Sequence, residues 1–116
     1  MPSTTTYRRG QVIVVNVPFT AQTGSKPRPA LVVSVEALCP VSSQPRYFQR
    51  PGPGDVPLGQ WKAVGLRYPS TVRISNLLAI EKKLIKRVLG KVSTQDLARV
   101  EEGLGKALGF SRPKVP

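Results

Sequence analysis

Apolar residues recur along this chain in short runs broken by proline and glycine, and their spacing changes near the C-terminus. The first run, QVIVVNV, is rich in β-branched residues and predicts a buried strand from Gln11 to Val17 that Pro18 ends. A polar, glycine-bearing loop, TAQTGSKP, leads into a second predicted strand over residues 30–35. Residues 36–38 then form a very tight joint before a third strand over 39–43. Residues 44–54, QPRYFQRPGPG, carry enough proline and glycine to predict a loop. A short strand is predicted over 55–58, with Trp61 packing in the core or at an interface. In TVRISNLLAI the alternation predicts another strand, with Val72 and Ile74 inward and Arg73 and Ser75 outward. Residues 81–89 suit either a short amphipathic helix or a final strand, with Lys82, Lys83, Lys86 and Arg87 as a solvated face.

The last element changes period. Leu97, Val100, Leu104, Ala107 and Leu108 recur at helical spacing, Ser93 is a good N-cap, and Asp96 falls three residues on in a capping-box-like position. Gly109 suits the C-cap and Pro113 forbids continuation, while Gly103 and Gly105 weaken the helix, so packing must hold it. Residues 1–7 are expected to be disordered, 8–110 to form one domain, and 111–116 to be a loose tail. Short strands followed by a terminal helix define a small α+β fold built on a curled antiparallel sheet or barrel.

Charge narrows the choice of partners. Eighteen Lys and Arg face six acids, a net of +12, and nearly all of the excess falls before residue 93. A field of that sign recruits polyanions, meaning nucleic acid or an acidic protein. No helix shows a basic face opposite a broad apolar one, and no apolar run approaches a membrane span, so a membrane partner is not expected. MPSTTTYRRG has no apolar core, which is unlike a secretory signal. The single Cys39 cannot form an internal disulfide, suits a reducing cytoplasm, and sits among apolar residues as a small core filler. The chain has no histidine, which removes imidazole acid–base catalysis and most zinc sites and predicts neither metal nor cofactor. Chemistry falls to Arg, Lys, Ser, Thr, Tyr or a carboxylate. Two stretches attract attention. Pro27 and Pro29 extend the backbone around Arg28 just before an apolar run, although a lone arginine there is more often merely solvated. Arg46, Tyr47, Phe48 and Arg50 interleave base and aromatic, which suits either stacking on nucleobases or simple anchoring of the loop.

Taken in order, RGQVIVVNVPFT, GSKPRPALVVS, PVSS, PSTVRISNLLAIEK and LGKVSTQDLARVEEGLGKALG resemble the MazF/PemK family of toxin–antitoxin ribonucleases, over about residues 8 to 110. That resemblance implies a small SH3-like barrel with a C-terminal helix, a homodimer, and an acidic antitoxin as partner. It also implies metal-independent cleavage of single-stranded RNA such as mRNA. The family's catalytic arginine falls on Arg28, its catalytic threonine on Ser42, and a further arginine of PemK-type members on Arg73. RNA contacts are expected from Lys26, Ser43, Gln44, Arg46, Tyr47, Phe48 and Ser75. Three departures stand out: Ser42 replaces threonine but keeps the hydroxyl, Ser75 stands where PemK-type members place an aspartate, and the joint before PVSS is shorter than usual.

The implied reaction is attack of a ribose 2′-hydroxyl on the adjacent phosphate, leaving a 2′,3′-cyclic phosphate and a 5′-hydroxyl. Guanidinium groups match phosphate oxygens, which suits Arg28 and Arg73 to charge stabilisation, and their permanent charge suits neither to the role of general base. Ser42 is better placed to orient the phosphate or the 2′-hydroxyl than to act as a nucleophile. Two other readings stand beside it: a non-catalytic RNA- or protein-binding barrel with the same basic surface, and a gyrase poison of the CcdB type, which works by binding a protein.

Overall fold

A computed structural model describes residues 7–17, 26–34, 37–79 and 82–109. The loop expected to contact ligands at 18–25, the terminal stretches 1–6 and 110–116, residues 35–36, where the second predicted strand meets the tight joint, and residues 80–81 lie outside the described residues. Seven strands are seen among them: β1 (Gln11–Val17), β2 (Lys26–Val32), β3 (Ala37–Ser42), β4 (Asp55–Pro57), β5 (Thr71–Arg73), β6 (Leu78–Ala79) and β7 (Ile85–Lys91). They pair antiparallel in the order β4-β5-β3-β2-β1-β7, with β6 also on β3. Three helices accompany them, α1 (Pro45–Gln49), α2 (Trp61–Val64) and α3 (Thr94–Leu108). The architecture is the expected small α+β fold, a curled antiparallel sheet with a C-terminal helix.

Alternation along the strands gives the sheet two faces. Val12, Leu31, Val33, Cys39, Val41, Val56, Leu58, Val72 and Ile74 form the main core with Val100 of α3, and Leu97 and Leu104 pack against it. Ile13, Val15, Ala30, Val32 and Leu38 form a second cluster on the other face, covered in part by Leu84, Ile85 and Tyr7. Tyr7 therefore packs, although the sequence assigns it to a disordered start. Burying β1 on both faces explains its nearly unbroken apolar run.

β3 controls the curl. Its last residues, Val41 and Ser42, pair with Val72 and Thr71, while its first, Ala37 and Leu38, pair with Ala79 and Leu78. Between these pairs β3 advances three residues, from 41 to 38, while its partner advances six, from 72 to 78. A 3-10 turn at Ile74–Asn76 takes up the surplus, held by Ile74 N–H to the Gly54 carbonyl at 2.7 Å and Leu77 N–H to the Ile74 carbonyl at 3.0 Å. The single strand expected over TVRISNLLAI is thus broken in two, although Val72 and Ile74 are buried and Ser75 is exposed as the alternation required. Two register shifts between β1 and β7 add further twist.

Other expectations shift for identifiable reasons. β2 begins at Lys26 rather than residue 30, and its prolines lie opposite Asn16 and Val14 of β1. The described ladder to β3 stops at Ala30, so this end of β2 is paired on one side only, where a missing N–H costs least. The tight joint closes as a hairpin, with Val32 opposite Leu38 and Val33 N–H on the Ala37 carbonyl at 3.1 Å. The stretch 81–89 resolves in favour of a strand, β7, after a 3-10 turn at Lys82–Leu84, because the doubly buried β1 needs a partner on its open side. The expected loop at 44–54 contains α1: Pro45 sits in its first turn, where its missing N–H would be unpaired anyway.

Helix α3 begins and ends as predicted. Ser93 Oγ accepts the Asp96 N–H at 3.1 Å, and Gly109, at φ 80°, donates to the Gly105 and Lys106 carbonyls. Asp96 does not complete a capping box. Its carboxylate, 3% exposed, instead accepts the Gly59 and Gln60 N–H groups at 2.9 and 3.0 Å and Arg99 Nη2 at 2.6 Å. Burial opposes this charge, but the two backbone bonds and Arg99 outweigh it and hold the Asp96 carboxyl below its ordinary range. Gly103 lets α3 approach the 3-10 turn closely: a Cβ there would stand 2.5 Å from Ile74 Cδ1, the end of a side chain that would have to turn aside.

Candidate active site

Strand parity decides which side chains can meet. On β2, Leu31 and Val33 face the main core, so Arg28 falls on the opposite face with Ala30 and Val32. On β3, Cys39 and Val41 face the core, which sends Ser42 to the face of Leu38. On β5, Val72 faces the core and Arg73 takes the other side. Arg28, Ser42 and Arg73 therefore share one face of the sheet. Register brings them close: Arg28 lies two residues beyond Ala30 and Ser42 two beyond Pro40, and Ala30 and Pro40 are paired. Ser42 in turn lies opposite Thr71, two residues from Arg73.

Ser42, at the last position of β3, accepts the Gln44 N–H on its Oγ at 3.2 Å, which ties the hydroxyl to the chain leaving the strand. Arg28 is exposed. Arg73 is held on two sides. Its Nε donates to Asp55 Oδ1 at 3.0 Å, and its guanidinium lies 3.7 Å from the centre of the Tyr47 ring. Asp55 sits directly opposite Arg73 in the β4–β5 ladder, is 6% exposed, and accepts the Gly52 N–H on Oδ2 at 3.0 Å. Arg46 completes the cluster by donating to Tyr47 Oη at 2.8 Å, its guanidinium 4.7 Å from the same ring.

The remaining expected contacts divide. Ser43, Gln44 and Arg46 are exposed at the end of β3 and the start of α1, next to Ser42. Tyr47 and Phe48 are half-buried, and the ring of Tyr47 is engaged by two guanidinium groups, so it acts here as an anchor. Ser75 lies in the 3-10 turn, with Oγ on Asn76 Oδ1 at 3.4 Å. The side chain of Lys26 lies outside the described residues. Two site neighbours escape sequence reasoning. Asp55 reads only as the start of a short strand, and the β4–β5 pairing alone reveals it. Thr71, opposite Ser42, is fully buried, and its Oγ1 has no hydrogen-bond partner among the described residues.

Among the described residues, no group of three His, Cys, Asp or Glu is placed to hold a metal. Cys39 is fully buried, and burial pushes its thiol up to about 11, which fits a core filler. A cavity of about 600 Å³ lies elsewhere, lined by residues including Gly59, Ala63, Lys91 and Gln95, and shares no residue with Arg28, Ser42 or Arg73. No helix among the described residues is long and apolar enough to cross a membrane.

The fold has known counterparts. It resembles an endoribonuclease in complex with its cognate antitoxin from a mycobacterial species at 20% identity and TM-score 0.70, covering 90% of this chain and 97% of that one. It likewise resembles MazF from Deinococcus radiodurans at 24% identity and TM-score 0.68, covering 90% and 98%. A third counterpart is the Mycobacterium tuberculosis toxin MazF-mt6, at 19% identity and TM-score 0.69, covering 88% and 99%. Comparison with curated proteins gave no match. The class is that of small toxins built on this curled sheet. More specifically, residues 8–108 match the family of PemK-like, MazF-like toxins of type II toxin–antitoxin systems, and the chain belongs to it.

Proposed function

We propose that this toxin is a metal-independent endoribonuclease that cleaves single-stranded RNA, mRNA included, by 2′-hydroxyl attack on the adjacent phosphate. The observation that carries this reading is the shared face of Arg28, Ser42 and Arg73, three residues far apart in sequence but neighbours by strand register. Arg28 and Arg73 stabilise charge on the phosphorane oxygens, and Ser42 orients the phosphate or the attacking hydroxyl. Ser43, Gln44 and Arg46 extend the contact along the strand. The net charge of +12 suits both an RNA substrate and an acidic antitoxin. A homodimer and a cytoplasmic location belong to the same reading.

The test is digestion of a long RNA by purified protein in EDTA, with the product ends mapped. Fragments ending in a 2′,3′-cyclic phosphate and a 5′-hydroxyl are expected. Arg28→Ala is expected to lose on the order of 10²–10³-fold in rate while keeping its circular dichroism spectrum. Full activity in that variant would sink the assignment. RNA binding without cleavage would point to a binding barrel, and blocked supercoiling without cleavage to a gyrase poison.

A further inference from the structure

We infer that Asp55 and Tyr47 are positioning residues that hold the Arg73 guanidinium for a phosphate of the RNA, an inference that rests on the ribonuclease reading. A free arginine side chain has many rotamers to lose, so one that must meet a phosphate in a fixed orientation gains from being ordered beforehand. Arg73 is ordered by two constraints of different kinds. The Nε bond to Asp55 at 3.0 Å fixes one edge of the guanidinium, and the Tyr47 ring at 3.7 Å fixes its plane. Together they leave Nη1 and Nη2, which make no hydrogen bond among the described residues, as the donors for a ligand. The side chain keeps 23% of its exposure, so those donors can be reached.

Each holder is itself held. Asp55 is fixed by its register opposite Arg73 and by the Gly52 N–H on its second oxygen. Tyr47 is fixed by its place in α1 and by the Arg46 donor at 2.8 Å. A largely buried ion pair contributes little net stability once desolvation is counted, so the value of this cluster lies in geometry. Asp55 also neutralises much of the long-range pull of Arg73. Steering of RNA then falls to exposed cations such as Arg28, and Arg73 acts at short range as a directional donor. Its loss of position should therefore appear in turnover more than in binding.

The experiment measures steady-state cleavage of a defined single-stranded RNA oligonucleotide in EDTA, with thermal melts of every variant. Asp55→Asn and Tyr47→Leu are expected to lower kcat by roughly 10–100-fold with little change in KM. Tyr47→Phe, which keeps the ring, should recover at least about tenfold of the Tyr47→Leu loss. In an Arg73→Ala background, Asp55→Asn should have no further effect, because its role runs through the guanidinium. Wild-type kcat in a folded Asp55→Asn or Tyr47→Leu protein would overturn the inference. So would an equal loss from Asp55→Asn in both backgrounds, since a purely structural role predicts that. If either single variant fails to fold, the other still decides. Absence of cleavage by the wild-type protein would remove the ribonuclease reading and this inference with it, whereas cleavage indifferent to Asp55 and Tyr47 removes this inference alone.

Discussion

Asp96 offers a stability test that needs no assumption about activity. Replacing it with alanine or asparagine strips a buried carboxylate from the Gly59 and Gln60 N–H groups and from Arg99. A hydrogen bond to a charged group contributes about 1.5–3 kcal/mol, and the low end applies because Gly59 and Gln60 lie at the surface. The half-exposed Arg99 adds little, and loss of an acid from the first turn of α3 costs about another 0.5 kcal/mol. Together the two backbone bonds and these smaller losses come to roughly 3.5 kcal/mol, a fall of about 10–20 °C in Tm for a domain of this size. The pH dependence has a fixed sign. The folded-state pKa lies below the ordinary 3.8, so the stabilisation is complete above that value and is lost as pH falls through the folded pKa. Melts of wild type and Asp96→Asn should therefore differ fully at neutral pH and converge in strong acid. A variant within about 2 °C of wild type at neutral pH would refute the bond assignment, and a constant gap into acid would refute the charge.

Glycines at two contacts should behave differently. A Cβ at Gly90 would meet the Val64 carbonyl oxygen at 2.2 Å, so Gly90→Ala must part β7 from α2 and is expected to cost about 1–3 kcal/mol in urea unfolding. Gly103→Ala meets only the movable end of Ile74 and gains about 1 kcal/mol of helix propensity, so its cost should be clearly smaller. Cys39, fully buried with a thiol raised to about 11, should resist a thiol reagent in the folded protein and react at once in denaturant. RNA affinity should fall with salt at about −0.7 in log–log slope per neutralised phosphate, and Arg46→Ala should make that slope shallower by about one such step.

The sequence reveals elements better than their joins. The QVIVVNV strand and the capped C-terminal helix were legible because apolar spacing and cap residues act locally. α1 was hidden because Pro45 marks a loop and a helix start equally well. The break at Ile74–Asn76 was hidden because alternation continues through it, and only the two attachments to β3 require three extra residues there. β7 was ambiguous because Leu84, Ile85, Val88 and Leu89 fit both periods, and the exposed side of β1 decided it. Of the candidate site, Arg28, Ser42 and Arg73 could be named, but their shared face depends on register. Asp55 could not be found at all: its meaning comes from lying opposite Arg73 across a three-residue strand.

The same register separates what stabilises the fold from what the site would use. Val100, Leu97 and Leu104 bind α3 to the main-core face, and Asp96 anchors the turn before α2 from that helix. Arg28, Ser42 and Arg73 occupy the other face, at strand positions where pairing gives out. Arg28 lies beyond the described β2–β3 ladder, Ser42 is the last residue of β3, and Arg73 is the last of β5 before the 3-10 turn. Side chains at such positions carry little packing, so Arg28 and Ser42 can be changed at small cost to stability. Arg73 is the exception, because its removal leaves the 6% exposed Asp55 carboxylate without its cation. Of the three, Arg73→Ala should thus be the variant that loses stability, and that cost follows from the pairing that holds its guanidinium in place.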